Sequence, residues 1–262
     1  DWPTRSAGRG ESPSQWAGRD RRLCRISPAG NCISGRQPMM QLLRPVLILV
    51  RKDILLEWRS RDLVVSMLVF SLLIVVVFNF ALNVTPQRVT VLAPGIIWVT
   101  FAFAATLAMN RSFVREMEQG GLAGLLLSPV SRDAIFLGKA LGSFLFMLLV
   151  EAALLPVFGA LLNFPVLSFT LVLTIVMATL GFALVGTLFS AIAVQTRSRE
   201  IMLPVLFFPV ILPVIIAAVE ASSASIGSEP GVGLNRWLPL LAIFDALFLV
   251  ICPWVFAVVV EE

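Results

Sequence analysis

The amino-acid sequence predicts an all-α, polytopic membrane protein with six transmembrane helices. Of its 262 residues, 58% are hydrophobic and 14% are charged, whereas soluble domains average about 25% charged residues. The mean hydropathy is +0.92. Because about 20 apolar residues cross the hydrocarbon core as a helix, six apolar runs predict the spans: residues 63–82, 89–109, 135–162, 166–194, 201–219 and 237–260. These runs are continuously apolar rather than alternating, which excludes a transmembrane β-barrel.

Residues 1–39 differ in composition from the rest of the chain. They are rich in Arg, Gly, Ser and Pro, show no apolar period, and hold seven of the twenty basic residues. We predict that residues 1–39 are a disordered or non-native extension and that residues 40–262 form the six-helix transmembrane domain. A basic transit peptide and a nucleic-acid-binding arm are the alternatives for this head, although we expect no nucleic-acid partner for the protein.

The first patterned segment, residues 42–61, predicts an amphipathic helix that lies along the membrane interface. Its charges fall largely on the face opposite a set of apolar residues, namely Leu43, Val46, Leu47, Val50, Ile54 and Leu55. A solvated extension of the first span is the alternative.

The distribution of basic residues predicts the orientation of the spans, because cytoplasmic loops carry an excess of Lys and Arg. One side of the predicted bundle holds eleven of them after residue 40: Arg44, Arg51, Lys52, Arg59, Arg61, Arg111, Arg115, Arg132, Lys139, Arg197 and Arg199. The other side holds Arg88 and Arg236. Both termini are therefore predicted to face the cytoplasm.

A charged, glycine-punctuated loop, residues 110–139, separates the second and third spans on the predicted cytoplasmic side. Within it Leu122, Leu125 and Leu126 recur at i, i+3 and i+4, a spacing that places them on one face of a short helix, which Pro129 would end. We predict that this is a coupling helix for a partner, with rim contacts from Arg115, Glu116 and Glu118. An ordinary interfacial helix is the alternative.

Prolines and glycines inside the spans predict irregular helices. Pro94 and Gly95 open the second span, followed by Trp98, which we expect near the outer interface; Pro204, Pro209 and Pro213 crowd the fifth. We expect a kinked or broken fifth span that could act as a gate. The alternative is structural, since proline is commoner in membrane helices than in soluble ones.

Two acids, Glu151 and Asp245, fall inside apolar runs. Because a charge at mid-bilayer costs at least about 2.5 kcal/mol, such residues usually face the bundle interior and suggest a function. They could line a substrate route or accept a proton. The alternative is a protonated or hydrogen-bonded carboxyl that ties helices together. The small residues of the fourth span predict that it is the packing centre: Ala178, Gly181, Ala183, Gly186, Ser190 and Ala191.

The sequence contains no histidine and no tyrosine, and its three cysteines show no metal or redox spacing. It has no G-x-x-x-x-G-K-[ST] motif, so we expect no nucleotide to bind through a P-loop. These absences remove most hydrolytic and histidine-ligated chemistry. We therefore predict a non-catalytic subunit with no catalytic residue, no metal site and no directly bound cofactor.

Several motifs carry a family resemblance. The series Glu116-x-Glu118-x-Gly120, then Leu125-Leu126-x-x-Pro129 and Gly138-Lys139, resembles the cytoplasmic loop of ABC-2-type exporter permeases. With the block APGIIWV at residues 93–99 and LPVLFFP at residues 203–209, the chain resembles more closely the CcmB family, the haem exporter B permeases of cytochrome c maturation. The resemblance covers residues 40–262.

The resemblance implies the partners of the protein. It implies a CcmA-like ATPase subunit that binds ATP, CcmC-like and CcmD-like membrane subunits, a CcmE-like haem chaperone, and a bacterial inner membrane or a mitochondrial one. Haem would be handled by the complex, and ATP hydrolysis would drive release of the haem-loaded chaperone. A generic ABC-2 exporter of a lipid, drug or polysaccharide is the second hypothesis, and a structural membrane anchor is the third.

Overall fold

The computed structural model describes residues 46–55, 61–82, 89–118, 131–162, 168–194, 199–226 and 234–259. Within these ranges all regular structure is helical, which confirms the all-α class. Helix α1 comprises residues 46–55. It is followed by α2 (Arg61–Ala81), α3 (Val89–Glu118), α4 (Arg132–Leu162), α5 (Phe169–Val194), α6 (Arg199–Ile226) and α7 (Leu234–Val259). The predicted extension at residues 1–39 lies outside the described residues.

Helices α2 to α7 are long and apolar enough to cross a membrane, and they correspond to the six predicted spans in order. The protein is thus a multi-pass membrane protein. The largest difference is at the loop between the second and third spans. Helix α3 continues to Glu118 and α4 begins at Arg132, so both ends of the predicted polar loop are helical. Hydropathy locates the hydrocarbon-crossing part of a helix, whereas the helix itself can extend beyond it.

Helix α5 is the centre of the bundle, as its small residues predicted. Of its spanning residues 72% are buried, against 17% in α2 and in α7, and it packs on α3, α4, α6 and α7. At Gly186 a β-carbon would collide with the Met109 sulfur of α3. Small residues therefore allow close helix approach here, as they do generally in membrane bundles.

An aromatic cluster fills the space between α3, α4, α5 and α6. The Trp98 ring stacks on Phe182 with 6.4 Å between centroids, and Phe101 meets both Trp98 and Phe158 edge-on. The indole Nε1 of Trp98 donates a hydrogen bond of 2.9 Å to Ser222 Oγ. Trp98 is completely buried, so its indole is a packing element between helices, and its position near the outer interface stays a prediction.

Helix α1 packs against the beginning of α4. Gly138 and Gly142 are four residues apart on α4, and both lie under α1. Ideal β-carbons at these glycines would lie 3.0 Å from Leu49 Cβ and 3.3 Å from Asp53 Cβ. Val46 and Val50 are buried beside them, whereas Leu47, Ile48 and Leu55 are exposed.

The apolar residues of α1 therefore divide between two surfaces. The sequence predicted that Val46, Leu47, Val50 and Leu55 share one face toward the membrane. In the structure Gly138 and Gly142 of α4 face Leu49 and Asp53, Val46 and Val50 are buried in a cluster with Ala134, and Leu47 and Leu55 remain for a lipid or partner surface. An interfacial position for the exposed part of α1 stays a prediction.

The prolines do not break the helices that contain them. Helix α6 runs continuously from Arg199 to Ile226 through Pro204, Pro209 and Pro213, and α3 continues through Pro94. The fifth span is therefore unbroken, and a kink at these prolines stays a prediction. Neighbouring helices can re-satisfy backbone groups that a proline leaves free, so continuity does not exclude bending, and the gate remains a hypothesis.

Candidate functional site

The predicted coupling loop lies partly outside the described residues. Arg115, Glu116 and Glu118 belong to the last turns of α3, and the description does not extend to their side chains. The other predicted loop residues, Gly120, Leu122, Leu125, Leu126 and Pro129, fall in the undescribed segment 119–130. The docking helix therefore stays a prediction. The structure does describe the next part of the chain, which begins at Ser131.

Helix α4 is attached at its first turn to the end of α7. The carbonyl of Ser131 accepts hydrogen bonds from the backbone N–H groups of Ala134 and Ile135, which begins the helix. Arg132 Nη1 donates a hydrogen bond of 3.2 Å to the carbonyl of Ala257, near the last turn of α7. A guanidinium at a helix C-terminus is favourable because the last carbonyls carry partial negative charge.

Two turns further along, Lys139 joins α4 to α1. Lys139 is only 4% exposed, and its Nζ lies 3.9 Å from Asp53 Oδ2 on α1. Lys52 Nζ lies 3.4 Å from the other carboxylate oxygen of Asp53. In the sequence Lys139 falls both in the predicted loop 110–139 and in the predicted span 135–162, and in the structure it is a buried helical residue. Gly142 has no side chain to displace the Asp53 carboxylate, which accounts for the close approach.

We call residues 132–142 the α4 entry segment, because the chain enters the bundle there directly after the predicted coupling loop. It contacts α7 through Arg132 and through the ring of Phe136, which lies 5.3 Å from the ring of Phe256. It contacts α1 through Gly138, Lys139 and Gly142. The α4 entry segment therefore connects α4 to both α1 and α7.

Glu151 is buried inside the bundle, as its position in the third span predicted. It is 5% exposed, and its Oε2 lies 2.7 Å from the hydroxyl of Thr179 on α5. It also lines a small cavity between α2, α3 and α4 with room for about one water molecule. The carboxyl is thus placed where four helices meet.

Asp245 is buried on another side of α5. It is 6% exposed, and neither carboxyl oxygen has a hydrogen-bond partner among the described residues. A β-carbon at Gly181 would lie 3.0 Å from Asp245 Oδ1. The absence of a side chain at Gly181 therefore allows the Asp245 carboxyl to pack closely against α5.

The structure does not bring Glu151 and Asp245 together. Their contacts on α5, Thr179 and Gly181, are two residues apart, and residues at that spacing point about 200° apart around a helix. The two acids are separate sites at similar depth, with α5 between them.

The proline positions are also distributed. Pro94 is buried, Gly95 and Pro204 are half-buried, and Pro209 and Pro213 face outward from α6. A β-carbon at Gly95 would meet no atom of the described helices within 4 Å, so α3 has free space beside it at this point. Pro209 and Pro213 therefore adjoin the lipid or a partner surface, and a gate at the prolines of α6 stays a prediction.

Several important side chains were missed in the sequence. Asp53 pairs with Lys139, Thr179 contacts Glu151, and Ser222 accepts the hydrogen bond of Trp98. None of these three residues differs visibly from its neighbours in the sequence. The G-x-x-x-G spacing of Gly138 and Gly142 is a signal that could have been used, because this spacing permits close helix contact in membranes. This spacing would have predicted that another helix packs closely against α4, but it would not have identified α1 as that helix.

A match to a known protein family extends over all seven described helices. Residues 44–262 match the family model described as CcmB protein. The chain belongs to the CcmB family. The matched region begins just before α1 and extends past α7, so the entry segment, the two buried acids and the aromatic cluster are all part of the CcmB region.

The chain is similar in sequence to several proteins named heme exporter protein B. The protein from Pseudomonas aeruginosa is 29% identical over 212 residues, which cover 80% of this chain and 93% of the relative. That from Bradyrhizobium diazoefficiens is 29% identical over 207 residues, or 79% and 92%. The Escherichia coli K12 protein is 26% identical over 178 residues, or 67% and 80%.

Proposed function

We propose that this chain is the membrane-embedded permease subunit of an ABC-type haem exporter that serves cytochrome c maturation, located in a bacterial inner membrane. The observation that carries the proposal is the CcmB match across all seven helices, together with relatives named heme exporter protein B over most of the chain. The six membrane-spanning helices suit a permease. A mitochondrial inner membrane is the alternative location.

In this proposal the chain is not itself an enzyme. ATP hydrolysis belongs to a separate CcmA-like ATPase, since the sequence has no P-loop lysine motif of its own. CcmC-like and CcmD-like subunits complete the membrane complex, and a CcmE-like chaperone receives haem. Haem is the cargo of the complex, and its release on the loaded chaperone is the step that ATP hydrolysis drives.

Coupling would pass through the segment that joins α3 to α4. The ATPase would bind the predicted helix around Leu122, Leu125 and Leu126, and its motion would reach the α4 entry segment. That segment contacts α1 through the Lys139–Asp53 ion pair and α7 through the Arg132–Ala257 hydrogen bond. A short displacement would thus be distributed to three helices, as in other shear-type transitions.

The docking step is tested by replacing Leu125 and Leu126 with Asp in the full chain, co-expressed with the ATPase. Buried apolar anchors carry most of the energy of an interface, so we expect the variant to lose the ATPase in a pull-down from detergent-solubilised membranes. Leu127→Asp is the matched control, because Leu127 is outside the i, i+3, i+4 set. Equal capture by both variants and the wild type would refute the docking helix.

The functional assignment is tested separately by complementation. A host that lacks its own CcmB gene should regain haem-staining c-type cytochromes when the full chain is expressed, and the Leu125→Asp, Leu126→Asp variant should fail to restore them. Restored cytochrome c by a chain that never co-purifies with an ATPase would contradict the coupling proposal. Failure of the wild-type chain, inserted in the membrane with all native partners present, would contradict the haem assignment.

A further inference from the structure

The Thr179 hydroxyl makes two short contacts, and both are to oxygen atoms. Its Oγ1 lies 2.7 Å from Glu151 Oε2 on α4 and 2.7 Å from the carbonyl oxygen of Ile175, one turn earlier on α5. Both distances are at the mode for O–H···O hydrogen bonds. Each of these contacts therefore needs a proton between its two oxygens.

A threonine hydroxyl has one proton to donate and two lone pairs that accept. The Ile175 carbonyl can only accept. If Glu151 were ionised, it could also only accept, and one of the two 2.7 Å contacts would place two acceptor oxygens together with no proton between them. If Glu151 carries a proton, its acid O–H donates to Thr179, and Thr179 donates to Ile175. Only this arrangement satisfies both contacts.

Among the described residues, the surroundings of Glu151 offer no means of stabilising a carboxylate. The cavity that it lines is bounded by side chains that neither titrate nor carry charge, namely Met67, Phe101, Ala104, Ala105, Met147, Val150 and Leu154. From α5 it meets the neutral hydroxyl of Thr179. The cavity has room for about one water molecule, far less than the hydration shell that an ionised carboxylate needs.

We propose that Glu151 is a proton-binding site, held as a neutral carboxylic acid that links α4 to α5 through a Glu151–Thr179–Ile175 chain of hydrogen bonds. Transfer of the proton to a water molecule that enters the cavity would leave a carboxylate on Glu151. The Thr179 hydroxyl would then turn from Ile175 to Glu151, and an uncompensated charge would remain where α2, α3, α4 and α5 meet. A change in the protonation of one residue would thus alter the packing of four helices.

Infrared spectroscopy of the full chain in nanodiscs tests the protonation state directly. The difference between wild type and Glu151→Gln at neutral pH should show loss of a carboxylic acid C=O band, with the carboxylate bands unchanged. Loss of carboxylate bands instead would overturn the proposal. The same acid band should persist in Asp245→Asn, which assigns it to Glu151.

Variants of the partner residue keep the test decisive if Glu151→Gln fails to fold. Thr179→Val keeps the volume and removes the hydroxyl, so the acid band should remain but shift in frequency, because its O–H has lost its acceptor. Thr179→Ser keeps the hydroxyl and should leave the band at its wild-type position. An acid band that is the same in all three proteins would refute the hydrogen-bond chain.

Discussion

At the scale of single residues, the two buried acids show how differently the same kind of side chain can be placed. Glu151 has a hydroxyl partner on α5, whereas both oxygens of Asp245 have none within the described helices. An unpaired polar group that is buried costs about 1–3 kcal/mol. A residue that lowers stability in this way is more readily understood as functional than as structural, since such costs concentrate at functional sites.

We therefore predict opposite effects of Asp245→Val on stability and on function. Removal of the two unpartnered oxygens should raise the free energy of unfolding by about 1–2 kcal/mol, measured by thermal or denaturant unfolding in detergent. The yield of haem-stained cytochrome c in the complementation host should fall. The size of valine is close to that of aspartate, so the space that Gly181 leaves beside residue 245 should still accommodate the side chain.

Thr187→Val is the matched control for Asp245→Val. The Thr187 hydroxyl is also buried without a partner in the described part of the chain, and its replacement conserves the volume. We expect stability to be unchanged or raised, and the cytochrome c yield to stay at the wild-type level. If Asp245→Val also left the yield unchanged, Asp245 would have no role in transport.

Sequence reasoning located both acids because a charge within an apolar run is visible in one dimension. It could not assign their partners. Thr179 is 28 positions from Glu151 along the chain, and Gly181 is 64 positions from Asp245, so each contact exists only because two helices are neighbours. Trp98 illustrates the same limit, since its partner Ser222 is on α6.

At the scale of elements, α1 is the segment whose position depends most on one contact surface. It is short, and a ten-residue helix is marginal in isolation. Its buried face rests on Gly138 and Gly142, and its carboxylate Asp53 faces the buried Lys139. Docking on α4 is therefore what fixes α1, and the Lys139–Asp53 ion pair is part of that contact.

We predict that Asp53→Asn loosens α1 from α4. Removal of one partner from a buried ion pair leaves the other charge less compensated, which costs up to about 3–5 kcal/mol. Hydrogen exchange should become faster in residues 46–55, with little change in α5. Lys52→Ala is the control: its side chain is 40% exposed, and exposed pairs contribute about 0–1 kcal/mol. Equal exchange in α1 of both variants would show that the Lys139 pair does not hold the helix.

The elements that the sequence predicted best are those governed by hydropathy alone. All six spans were found, since in lipid each helix must satisfy its own backbone hydrogen bonds and therefore needs a long apolar run. The first residues of α4 were not predicted to be helical, because Arg132 and Asp133 made them appear to be loop, and the predicted loop 110–139 overlapped the predicted span 135–162. Burial of Lys139 beside Asp53 is a tertiary effect, which local polarity does not reveal.

At the scale of the whole molecule, the two ends of the bundle have different chemistry. The end at the start of α4 contains the Arg132–Ala257 hydrogen bond and the Lys139–Asp53 ion pair. The opposite end contains the neutral contacts of Trp98 with Ser222 and of Ser168 with Ser225, and its Arg236 guanidinium lies over the ring of Trp237. The asymmetry accords with the charge count, in which basic residues concentrate on the side of the 110–139 loop.

The orientation with both termini in the cytoplasm is a prediction that topology fusions can check. Alkaline phosphatase needs an oxidising compartment to form its disulfides, so a fusion after residue 262 should be inactive and a fluorescent-protein fusion there should be bright. A phosphatase fusion after residue 230, between α6 and α7, should be active. Reversal of the two phosphatase results would show that the bundle is inverted.

The sequence by itself determined the class of this protein, the number and order of its spans, and the positions of its two intramembrane acids. These follow from hydropathy and charge, which each segment carries alone. The tertiary structure decided which acid has a partner, where α1 binds, and that Lys139 is buried. Helix α5 has no charged residue and its apolar residues are distributed around all of its sides, so its sequence does not indicate which side faces which helix. That choice is made by the fit of small residues such as Gly181 and Gly186 against particular neighbours, and such a fit exists only once the helices have packed.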